Sequence, residues 1–149
     1  MTAVSVPARS HRWLRAVGYG LLAEVATIAT IIAIVTLYRF VLAKGASDAD
    51  YAAFGARVGE IVGIVGGTLY TFLFARLVTR RLSAHRVAHG IVVALAAIAL
   101  SVTGSLAGHQ GLPDGYLIAT ALKLAAGWLA GSLGGAATAT ATEQEVSRS

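Results

Sequence analysis

Two residues carry charge deep inside otherwise apolar sequence: Glu24 is the only charged residue in 16–38, and Lys123 the only one in 115–137. A lone charge in such surroundings pairs or is neutralised, and proton relays and ion sites are built from these residues. Glu24 lies nine residues beyond Arg15, and Lys123 nine residues beyond Asp114. At about 1.5 Å per helical residue, each is about 13–14 Å in from opposite ends. In a hydrocarbon core of about 30 Å they meet near the middle. Glu24 shares a helical face with Gly20 and Thr27, and Lys123 one with Ala119, Gly127 and Ala130. The expectation is a Glu24/Lys123 pair between neighbouring antiparallel helices. Such a pair either fixes helix order or serves as a proton or ion site. In the second case Thr27, Ser101 and Ser105 would line a polar path with it.

The remaining reactive side chains point to less. Glu60 lies three residues from Arg57, the spacing of an ordinary interfacial ion pair. His85 and His89 have the i, i+4 spacing of two metal ligands on one helix face, but two ligands do not complete a site. At about 100° per residue both histidines turn away from the small residues of their helix, towards the headgroups. No metal centre is expected. Gly18, Gly20 and Ala23 match the spacing of a dinucleotide loop but follow no strand. Ala130, Gly131, Ser132, Leu133 and Gly134 only approximate a nucleophile elbow. With no cysteine, thiolate chemistry and cysteine-ligated metals are excluded. No catalytic residue and no cofactor is assigned, and the chain is not read as an enzyme.

The elements that must position these residues follow from composition. Of 149 residues, 56% are apolar and only 13% charged, with a mean hydropathy of +0.72. Soluble chains carry about a quarter charged residues. The pattern is that of an all-α polytopic membrane protein, a bundle of four transmembrane helices in a single domain. The spans are expected at about 16–43, 58–79, 87–107 and 115–137, each near the about 20 residues a crossing requires. The first is too long for a signal peptide and no prompt cleavage site follows, so it reads as an uncleaved anchor. Residues 44–54 hold Gly45, Ser47, Asp48 and Asp50, turn and cap types, and 109–115 form the second far-side turn. Residues 138–149 read as a short disordered tail.

Between helices in lipid there is little hydrophobic force, so close backbone approach and polar contacts hold them. Gly55, Gly59, Gly63 and Gly67 recur every four residues, a glycine zipper down the second span. Gly90, Ala94 and Ala97 mark the third, and Gly127 and Gly131 the fourth. These stripes are expected to pack helices within one chain, with a homo-oligomer or a membrane protein partner as the other use.

Arg9, Arg12, Arg15, Arg76, Arg80, Arg81 and Arg86 flank the spans on one side, against Arg39, Lys44 and Arg57 on the other. The positive-inside rule then sets both termini in the cytoplasm. Although the net charge is +5, these arginines border apolar spans and form no patch interleaved with aromatics, so membrane lipid and not nucleic acid is the partner.

The fourth-span segment Leu122 to Gly131 (LKLAAGWLAG), with Thr71 Phe72 Leu73 Phe74 and Arg80 Arg81 Leu82, resembles small four-helix bacterial membrane proteins of unknown function. The resemblance covers about half the chain. It implies a bacterial cytoplasmic (inner) membrane and the four-helix layout, and carries no activity. Two roles follow as expectations: an accessory or structural membrane protein, or an oligomeric transporter or channel subunit for a small solute, proton or ion.

Overall fold

The computed structural model describes residues 9–107 and 115–146, with side chains over 12–107 and 115–133. All regular structure among them is helical: α1 (Arg9–Leu37) runs into a π turn (Tyr38–Leu42), then come α2 (Asp48–Ile61), a second π turn (Val62–Gly66), α3 (Gly67–Thr79), α4 (Arg86–Ala107) and α5 (Tyr116–Val146). Four stretches are long and apolar enough to cross a membrane: Arg12–Leu42, Asp48–Thr79, Arg86–Ala107 and Tyr116–Leu133.

The second rod starts ten residues before the expected 58. Gly45 takes the left-handed φ of +84° that turns the chain. Ser47 and Asp50 then form a reciprocal capping box, the Ser47 hydroxyl accepting from the Asp50 amide at 3.2 Å and the Asp50 carboxylate from the Ser47 amide at 3.2 Å. The loop expected over 44–54 is therefore a short turn, and residues 48–57, polar enough to read as loop, are the first turns of a helix. At the other end, α5 continues to Val146, past the expected 137 and into the segment read as a disordered tail. Alanine recurs there at every second position or closer up to Ala141, and alanine is the strongest helix former. The 109–114 part of the expected turn, with Asp114, lies outside the described residues, as do 147–149.

Contacts fix the directions. Gly90 meets Gly127 while Val87 meets Gly131, so α4 and α5 are antiparallel. Trp13 meets His89 and Gly20 meets Val93, so α1 and α4 are parallel. Tyr19 meets Phe74 and Thr30 meets Tyr70, so α1 and α3 are antiparallel. The sides of the bundle are α1/α4, α4/α5, α5/α3 and α3/α1, which sets α1 and α5 on a diagonal. The first and last helices are thus not the neighbours expected.

Burial is inverted relative to a water-soluble protein. The core is built mainly from Ala16, Ala23, Ala75, Ala94, Ala97 and Ala130 with Thr27, Thr71 and Thr79, whereas Leu14, Ile32, Leu117 and Trp128 face outwards. In water such a surface is a large apolar liability. In lipid it is the solvated face, and small buried residues let the backbones close in. Glycine carries the tightest contacts: a methyl group on Gly20 or Gly90 would run into the carbonyl of Val93 or Gly127, and one on Gly131 would lie 2.5 Å from the Cα of Val87. Thr79 adds an interhelical hydrogen bond to the Ala130 carbonyl at 3.0 Å.

Candidate functional site

This tight packing occupies the half of the bundle nearest the α3–α4 turn. In the other half the second rod changes course. The π turn at Val62–Gly66 needs more residues per turn than an α-helix, so α2 loses the four-residue register with α3. Whereas α3 contacts α4 across the bundle, α2 has no comparable contact with it. A cavity of about 960 Å³ fills the space, with walls from all four rods.

Glu24 and Lys123 form its inner end. Lys123 Nζ donates to Glu24 Oε2 at 2.6 Å, and the two residues are only 4–5% exposed. The pair spans the diagonal from α1 to α5. Gly67 makes this possible: a methyl group there would lie 2.8 Å from Lys123 Cε, so the bare backbone of α3 seats the lysine stem. Beside the pair, Thr27 donates to the Ala23 carbonyl at 2.9 Å, which ties its hydroxyl proton to its own helix and leaves the oxygen as an acceptor. Neither Glu24 nor Lys123 has another hydrogen-bond partner among the described residues. One carboxylate oxygen and two ammonium protons therefore have no partner among the described residues.

Ser101 and Ser105 lie on the cavity wall contributed by α4, and with Thr27 they line the same space as the pair. The glycines differ from expectation. Gly55, Gly59 and Gly63 also line the cavity, and a methyl group on any of them would meet nothing within 4 Å. Among the described residues they seat no other helix, so the reading of these three as packing helices within one chain is corrected. Periodicity identifies a small face but not what lies opposite. Gly127 and Gly131, in contrast, do lie against α4, a methyl group on Gly127 reaching 3.0 Å from the Ala94 side chain.

Two further readings change. Among the described residues the salt bridges are Glu24–Lys123 and an exposed Arg39–Asp48 contact at 4.0 Å. Glu60 has no bridge to Arg57; it lines the cavity, its Oε1 towards Gly115 at the start of α5. His89 does not face outwards. It is buried, stacked on Trp13 with ring centroids 4.0 Å apart, its Nδ1 against the His85 carbonyl at 2.8 Å. The row His89, Val93, Ala97 at intervals of four is buried throughout, a signal that the stripe of glycine and alanine alone obscured. His85 adopts a φ of +55° ahead of α4, and its carbonyl accepts from the His89 amide at 3.1 Å. Among the described residues no three carboxylate or imidazole groups converge as metal ligands.

The sequence pattern alone did not single out Thr120 or Tyr116, both on the cavity wall. They lie three and seven residues before Lys123, one helical face of α5, and that spacing was the available clue. Searched against protein-family models, curated proteins and solved structures, the chain matches none of them.

Proposed function

We propose that this chain is a four-span protein of a bacterial cytoplasmic membrane that admits a small solute or ion into its cavity, as the binding subunit of a transporter or channel, and that it is not an enzyme. The observation that supports this reading is the cavity itself: about 960 Å³, lined by all four rods, and ending on a buried ion pair. Ligand pockets commonly hold about 300–1,000 Å³. Intramembrane charges that face such a space mark solute and ion pathways.

The outward-facing leucines and isoleucines agree with lipid as the surrounding medium, and the arginine asymmetry supports an orientation with both termini in the cytoplasm. The cavity then faces the outer side, while the packed half, built on Gly20, Gly90, Gly127 and Gly131, closes the inner side. This is an outward-facing arrangement. Passage requires either rearrangement of the packed half or a path completed by a second subunit, and the second of these makes the functional unit an oligomer.

The test is flux through proteoliposomes holding the purified full chain and a pH-sensitive dye. The wild type is expected to raise proton or cation permeability above that of protein-free vesicles. Glu24→Gln, and Gly63→Leu, which extends a side chain into the cavity, are each expected to abolish the increase. Vesicles as tight as the protein-free control would contradict the reading. A second role, an accessory protein seating a partner's helix, is favoured by the empty space before Gly55, Gly59 and Gly63. It predicts a stoichiometric membrane protein partner after purification in mild detergent, released by Gly59→Leu.

A further inference from the structure

At the end of the bundle opposite the cavity, a second and smaller pocket of about 200 Å³ is lined by Arg12, Arg15, Val78, Arg81 and Leu82. Arg12 and Arg15 come from the first turns of α1, three residues apart and so on one face. Arg81 comes from the turn that follows α3, and Val78 and Leu82, both largely buried, form an apolar floor. Three arginines on one small pocket bring like charges together, which repel one another. None of the three has a carboxylate within salt-bridge distance among the described residues. Positive charge gathered for orientation alone needs only to lie on the correct side, and does not need to converge from two elements on one concavity.

We infer that this pocket is a binding site for a phosphate-bearing anion, with the phosphate oxygens held by Arg12, Arg15 and Arg81. Planar guanidinium groups bind phosphate through paired N–H donors. The apolar floor formed by Val78 and Leu82 suits a phosphate joined to an apolar root, as in an anionic phospholipid at the headgroup level. Basic pockets between helices on the cytoplasmic side hold such headgroups. Free phosphate offers the same oxygens without the root. The inference is independent of what the large cavity carries.

The experiment uses the full chain in mild detergent, with bound lipid counted by native mass spectrometry during titration with phosphatidylglycerol, with phosphatidylcholine as the zwitterionic comparison and inorganic phosphate as competitor. Phosphatidylglycerol is expected to bind at one saturable site. Arg15→Gln combined with Arg81→Gln is expected to weaken it about thirtyfold, from two contacts of about fivefold to sixfold each. Arg57→Gln, removing a charge outside the pocket, is expected to leave binding unchanged. Because the glutamine changes also remove orientation signals, Arg15→Lys with Arg81→Lys provides the second arm. It keeps both charges and is expected to weaken binding several-fold by removing the paired geometry. Selective phosphatidylglycerol binding that inorganic phosphate does not displace assigns the site to lipid. Displacement by phosphate at millimolar concentration assigns it to the free anion. Binding that is equal for both lipids, or unchanged in both double variants, would overturn the inference.

Discussion

Lys123 and Glu24 show what a residue-scale reading reaches and where it stops. Their depth was legible because a helix rises by a fixed amount per residue, so counting from Arg15 and from Asp114 brings both to one level. Their lateral relation was not, since nothing in a run of apolar residues states which helices are neighbours. The structure sets α1 and α5 on a diagonal, and only the missing side chain at Gly67 lets Lys123 reach across. Removing one member of a buried pair strands the other charge, at a cost of about 3–5 kcal/mol. Lys123→Met and Glu24→Gln are each expected to lower stability by that order. The double variant, which leaves no buried charge, is expected to recover most of the loss. Denaturation of the four proteins in mixed micelles measures the cycle, and additive losses in the double variant would show that the two groups do not interact.

For the elements, span number and approximate position were readable from hydropathy. The start of the second rod was not, because residues 48–57 are polar enough to pass for loop and are helical owing to the Ser47/Asp50 capping box. The glycines divide by what faces them. A methyl group on Gly90 would strike the backbone of α5, whereas one on Gly59 would project into open space. Overpacking a close helix contact costs about 1–3 kcal/mol. Replacing a helical glycine by alanine without a clash gains about 0.4–1 kcal/mol. Thermal unfolding should therefore separate two substitutions that look equivalent in sequence: Gly90→Ala lowers the midpoint, while Gly59→Ala leaves it unchanged or raises it. Equal destabilisation by both would mean that α2 packs against another helix after all.

At the scale of the whole molecule, one half of the bundle is closed by glycine-mediated contacts and the other is opened by the departure of α2 at its π turn. Arg12, Arg15, Arg80, Arg81 and Arg86 lie at the closed end, with Arg39 and Arg57 at the other, and both termini are expected on the closed side. This asymmetry leaves a cavity with a buried ion pair in its wall, and no feature of composition reported it, since cavities arise from what neighbouring rods fail to fill. The absence of native cysteine makes the most direct test simple: single cysteines at Gly63, in the cavity wall, and at Ala75, in the closed half, probed in oriented membranes with a membrane-impermeant thiol reagent. Cysteine at 63 is expected to react from the side opposite the termini, and cysteine at 75 to react from neither side until the protein is denatured. An unreactive cysteine at 63 in the folded protein, or equal labelling at both positions, would contradict the cavity.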